Sequence, residues 1–149
     1  MTFAESIPEH VYNRAIHLLR RDFPRQAWGL TFRPDGDKYL LPEHNVYVCL
    51  KATRPHLRRY KTVEVTGAFR YGEGKPGAAV AVADLCKTLG FEVMELDCFE
   101  PVAPAWYAAG LKLYNQERFN SAYAPSLWLP EYGKPDVLYL RKHFGGLYD

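Results

Sequence analysis

Residues 62–111 constrain the fold more than any other part of the chain. They read in order as a strand, a glycine-rich loop, a helix, a second strand and a short aromatic helix. Val63, Val65, Gly67 and Phe69 alternate with Thr62, Glu64, Thr66 and Ala68, the period-two pattern of a half-buried strand over 62–69. Gly67 within that pattern predicts a bulge or a close backbone approach. The loop is Gly72-Glu73-Gly74-Lys75-Pro76-Gly77, and a run of small residues, 78–83, comes directly after it. Ala79, Val82, Ala83, Leu85, Cys86 and Leu89 then recur at helical spacing up to Gly90, a residue suited to ending a helix because it accepts positive φ. Residues 91–99 form the second strand, carrying Phe91, Val93, Met94, Leu96 and Cys98. A strand, a crossover helix and another strand predict a parallel, right-handed pair. Three glycines opening a helix offer backbone N–H groups at the positive end of its dipole, which suits a phosphate.

The flanking segments are not more of the same unit. Ser6, Pro8 and Glu9 form an N-terminal helix signal, followed by Val11, Ala15, Leu18 and Leu19 on one face and Arg14, Arg20 and Arg21 on the other. Pro24 should stop that helix. Residues 28–32 and 38–41 read as strands around the turn 34–37, and 45–50 as another. Beyond the central unit, 102–109 reads as a helix ending at Gly110, and 112–119 and 137–142 as closing strands. The long connection between those strands, 120–136, carries Tyr123, Trp128 and Tyr132, and loops of that length are usually functional. The expected fold is α/β (α+β): a mixed, mostly antiparallel sheet with one splayed parallel strand pair and helices on both faces.

With 149 residues, 48% hydrophobic and 24% charged, the chain fits a single domain, 1–149, with its own core. A net charge of +2 does not indicate a nucleic-acid or membrane partner. The basic segment 54–61, with Arg54, His56, Arg58, Arg59 and Lys61, is either a solvated loop or a positive wall beside a phosphate-bearing ligand. Cys49, Cys86 and Cys98 are odd in number and lie mostly in apolar runs, as reduced buried thiols do. With no leader pattern and no span-length apolar run, the expected location is cytoplasmic.

Gly72, Gly74 and Gly77 fit the dinucleotide fingerprint, with Asp97 at about the distance of a ribose contact. The antiparallel halves on either side do not fit a dinucleotide domain. Taken together with the second strand and the aromatic helix, the glycine loop resembles that of the GNAT-type N-acetyltransferase superfamily, and the likeness extends over 62–141. Three residue sets carry the resemblance. Gly77-Ala78-Ala79 matches the second half of the pyrophosphate loop, whose first position, Gln or Arg in the family, is Gly74 here. The strand 92–98 matches the one that splays from its neighbour to admit the pantetheine arm. Ala105-Trp106-Tyr107-Ala108-Ala109-Gly110-Leu111 is similar to the family's aromatic-Tyr-x-x-Gly-Phe ending, with Leu111 in place of Phe.

The resemblance implies acyl transfer from acetyl-coenzyme A, as cosubstrate, to a primary amine of a small molecule or protein, without a metal. It places the pyrophosphate against Gly72, Gly74, Lys75, Gly77, Ala78 and Ala79, and the thioester along the strand from Val65 to Phe69. Tyr107 stands where the family places the proton donor for the leaving thiolate. Glu64 is the preferred general base, with Glu95 and Asp97 as alternatives. Cys98 has no histidine pattern beside it, and His10, His17, His44, His56 and His143 lack metal-ligand spacing. The rival reading is a non-catalytic member of the same fold, contacting a protein or nucleic acid through the aromatic loop and the basic segment. The aromatic C-terminal half also fits a homodimer interface.

Overall fold

A computed structural model describes residues 3–32, 34–53 and 60–145. Its elements in chain order are β1 (Glu5–Ser6), α1 (Glu9–Asp22), α2 (Pro24–Ala27), β2 (Asp37–Leu41), β3 (Val46–Ala52), β4 (Thr62–Arg70), α3 (Ala78–Thr88), β5 (Val93–Phe99), α4 (Ala103–Ala108), β6 (Lys112–Glu117) and β7 (Val137–His143). The seven strands form one sheet in the order β1-β2-β3-β4-β5-β7-β6. Every neighbouring pair is antiparallel except β4–β5. This is the mixed sheet the sequence implies.

Two hydrophobic layers hold helices to opposite faces. On one face Val46, Val48, Val63, Val65, Met94, Leu96 and Leu140 meet Ala81, Val82, Leu85 and Cys86 of α3 and Trp106 of α4. On the other, Tyr12, Ala15, Ile16 and Leu19 of α1 cover Cys49 and Phe69. Burial of this apolar surface is the main force closing the fold.

Four expectations need correction. Ser6 does not cap α1. It pairs with Tyr39 in the short strand β1, and Pro8 occupies the cap position without a side-chain hydrogen bond. The buried stripe of α1 runs through Tyr12 and Ile16, so the helix is rotated from the expected Val11 and Leu18 face. Residues 28–32 form no strand: Pro24 opens the one-turn helix α2, and Trp28 continues from it into an aromatic cluster. The alternation in β4 does not persist along the strand either. Cys49 pairs with Gly67 but Leu50 pairs with Val65, so Thr66 is an extra residue. Val63, Val65 and Ala68 therefore face α3, while Gly67 and Phe69 face α1. A bulge reverses the side-chain faces beyond it. The basic segment 54–61 lies outside the described residues except for Tyr60 and Lys61.

Candidate functional site

β4 and β5 pair over three positions only: Thr62 with Val93, Val63 with Met94 and Glu64 with Glu95. Beyond Glu64 the strands part. β4 continues to Arg70 against β3, and β5 continues to Phe99 against β7. A wedge opens between them, with unpaired backbone edges on both sides. Buried backbone donors and acceptors need partners, and an extended ligand bearing amides would supply them as a strand does. The Thr66 bulge sits just past the vertex. Its Oγ1 lies within hydrogen-bonding reach of the carbonyls of Asp35 (3.1 Å) and Cys49 (3.4 Å), pinning it to the neighbouring backbone.

The glycine loop lies between β4 and α3. Gly72 and Gly77 have φ of 92° and 86°, values that favour glycine. A Cβ at Gly77 would meet nothing within 4 Å, so the loop is open there. No side chain caps α3, and its first backbone bond runs from Ala81 N–H to Gly77 C=O at 3.0 Å. The N–H groups of Ala78, Ala79 and Val80 thus have no helical acceptor and leave the helix end at its positive pole.

The other half of the loop is strapped down. Lys75 N–H donates to Glu43 C=O at 3.0 Å, and its ammonium pairs with the Glu43 carboxylate at 2.7 Å. The Lys75 ammonium holds the Glu43 carboxyl below its ordinary range. Arg70 donates to Lys75 C=O at 2.7 Å, and the His44 ring approaches the same carbonyl at 3.0 Å. Asn45 donates to Glu73 C=O. Tyr71 donates to Asp22 at the end of α1 at 2.7 Å. Gly74 is the contact point of this strapping. A Cβ there would overlap the backbone of His44, whose Cα lies 2.9 Å from that position. Close backbone approach therefore demands glycine at position 74.

The face of the sheet toward α1 carries a charged row across neighbouring strands, in register: Lys51, Glu64, Glu95, Arg141 and Lys112. Glu95 is buried at 8% exposure and is paired with Arg141 at 3.0 Å. Glu64, half-buried at the wedge vertex, stands between Lys51 and Glu95 in this row. At the open end of the wedge, Trp28 packs on Phe99 (centroids 4.6 Å), Tyr132 (6.3 Å) and Phe119 (6.4 Å), and Phe119 meets Trp128 at 5.1 Å. The residues after α1 and the aromatic C-terminal loop therefore meet beside the wedge.

The predicted residues thus separate into groups. Gly77, Ala78 and Ala79 gather at the α3 terminus, while Gly72 lies beside Asn45 in the strapped half of the loop. Gly74 and Lys75 belong to the strap. Val65 turns its side chain into the α3 core, and the Phe69 ring is stacked on Tyr47 and set edge-on to Tyr12 under α1 (both 5.3 Å). Only their backbones border the wedge. Tyr107 is 42% exposed and lines a cleft of about 540 Å³ with Glu100, Pro104, Leu113, Gln116 and Leu138. No residue of β4, β5 or α3 lines that cleft. Its neighbour Trp106 is the α4 aromatic turned into the core.

Burial raises all three thiols, to about 12 at Cys86 and about 11 at Cys98, where Asp97 adds to the effect. At pH 8 the native chain should consume a disulfide reagent at under about one-tenth the rate of the urea-unfolded chain, because thiolate is the reactive form. A native thiol reacting at the unfolded rate would return Cys98 to the list of nucleophiles. Among the described residues no cluster of His, Cys, Asp and Glu is placed to hold a metal. No described helix is long and apolar enough to cross a membrane.

A parallel pair that opens after three residues, with a helix terminus beyond it and helices on both faces, is the GNAT fold. Solved structures of N-acetyltransferases match it along nearly the whole chain. The IAA acetyltransferase from Bacillus cereus superposes with a TM-score of 0.59 at 15% identity, over 97% of this chain and all of that one. A Bacillus subtilis acetyltransferase in complex with CoA gives 0.54 at 13% identity, over 97% and 99%. The ribosomal-protein-S18-alanine N-acetyltransferase from Escherichia coli gives 0.55 at 10% identity, over 96% and 94%. At such identity the likeness is one of fold. No family model and no curated protein matches the sequence.

Proposed function

We propose that this protein transfers an acyl group, acetyl in the simplest case, from acyl-coenzyme A to a primary amine by direct attack. The carrying observation is the wedge that opens after the Glu64–Glu95 pair and leads toward the uncapped N-terminus of α3. In this reading the N–H groups after Gly77 receive the pyrophosphate. The pantetheine arm takes the place of a strand in the wedge, with the thioester against the β4 backbone from Val65 to Phe69. Glu64 at the vertex accepts, directly or through water, the proton the amine loses, and the proton is passed on to the departing sulfur. Tyr107 faces another cleft and takes no part in this scheme.

The second reading, a binding protein of the same fold, draws on the strapped Lys75 N–H, which already has an acceptor. Calorimetric titration with acetyl-coenzyme A separates the two. The transferase reading expects saturable binding. It also expects Glu64→Gln to bind normally while thiol release in the presence of primary amines falls by about 10²-fold. Absence of binding by the parent protein would remove the enzyme reading, and full turnover in the variant would remove Glu64.

A further inference from the structure

Tyr12 is the most deeply buried polar side chain facing β4, and the transfer scheme leaves it without a role. Its ring is 1% exposed and sits edge-on to Phe69. Among the described residues nothing hydrogen-bonds its hydroxyl. That hydroxyl lies over Gly67, one residue past the Thr66 bulge, in the stretch of β4 that borders the wedge. A Cβ on Gly67 would collide with Tyr12 Oη alone. The next atoms, Tyr12 Cζ at 3.5 Å and Pro34 Cγ at 3.9 Å, are at ordinary contact distance. Gly67 is therefore a glycine on account of one oxygen atom.

Packing does not explain that oxygen. Phenylalanine would fill the same space against Phe69 and would tolerate a side chain at position 67. We propose that Tyr12 is a catalytic hydrogen-bond donor, placed over Gly67 to hold the thioester carbonyl oxygen as negative charge develops on it. This rests on the transferase reading. As the amine nitrogen bonds to the carbonyl carbon, the C=O π pair moves onto oxygen, where the Tyr12 O–H stabilises it. When the carbonyl re-forms, the C–S bond breaks with its electrons on sulfur, and the proton lost by nitrogen reaches sulfur through Glu64. Tyr12 keeps its own proton throughout. Burial, with Cys49 nearby, raises its phenol above the ordinary value, so it stays a donor across the working pH range. Donors aimed at a developing oxyanion in a desolvated site act on the transition state more than on the bound substrate.

The test is Tyr12→Phe, read by calorimetry with acetyl-coenzyme A and with coenzyme A, and by thiol release with a panel of primary amines. The expected result is a kcat lower by about 10²-fold with KM for acetyl-coenzyme A changed by less than about threefold. Coenzyme A binding should be unchanged. Placement is checked separately: Gly67→Ala should lower the melting temperature in the parent protein but not in the Tyr12→Phe background. Full turnover by Tyr12→Phe overturns the proposed role and leaves the transferase reading standing. A parent protein that does not bind acetyl-coenzyme A overturns both. A Gly67→Ala penalty equal in both backgrounds shows that the hydroxyl is not where the proposal needs it.

Discussion

Gly77→Glu is expected to weaken acetyl-coenzyme A binding by about 10³-fold while leaving the protein folded. Position 77 precedes α3 and points into open space, so the new side chain meets no steric obstacle. Its φ of 86° costs a non-glycine residue about 1 kcal/mol, and a carboxylate beside a helix N-terminus recovers part of that. What it cannot do is share the terminus with an anion. Two like charges about 4 Å apart near a protein surface repel by about 4 kcal/mol, which corresponds to three powers of ten in affinity. Gly77→Asn, which tolerates the same backbone without the charge, should bind within about tenfold of the parent. Calorimetry on the pair decides the matter. Equal affinities for Glu and Asn would move the pyrophosphate elsewhere.

Gly74→Ala should have the largest effect on stability, about 3 kcal/mol, seen as a lower urea midpoint with unchanged slope. The added methyl meets the backbone of His44 and not the tip of a flexible side chain. Either the β2–β3 turn or the loop must move, and overpacking of this kind costs about 1–3 kcal/mol. Movement would also break the bonds from Lys75 N–H to Glu43 and from Arg70 to Lys75. Placing an arginine at this position should therefore harm this chain. A Gly74→Arg variant as stable as the parent would show that the strap is dispensable.

The central unit was legible because its signals are local. Gly77 and Gly90 bracket α3 as positive-φ residues, and the small and apolar residues between them recur at helical spacing. The parallel β4–β5 pair is a consequence of the crossover that α3 makes. What sequence could not show was register. Nothing local says that Thr66 is an extra residue, yet it decides that Val65 turns toward α3 and Gly67 toward α1. The burial of Tyr12 was hidden for a related reason: a tyrosine beside Val11 reads as the edge of an apolar stripe until the rotation of α1 is known. Trp28 lies in a run that looks extended by composition. It is claimed instead by Phe99, a residue 71 positions away in sequence. On α4 the sequence spacing did not show which aromatic is buried: Trp106 turns into the core, and Tyr107 lines the outer cleft.

The stacking of Trp28 on Phe99 has a mechanical consequence. The sheet consists of two blocks, β1 to β4 and β5 with β7 and β6, joined at the apex by three residue pairs. On one face α3 bridges this short joint, its buried residues packing on strands of both blocks. The Trp28 ring, carried by the first block, clasps the far end of the second, and Gly29 lets it approach so closely that a Cβ there would lie 2.7 Å from the Phe99 ring. Fastened at both ends, the opening is a slot of set width and not a pair of jaws. A guest that fits it spends little free energy on reshaping its host, and one that is too wide is refused by the frame itself.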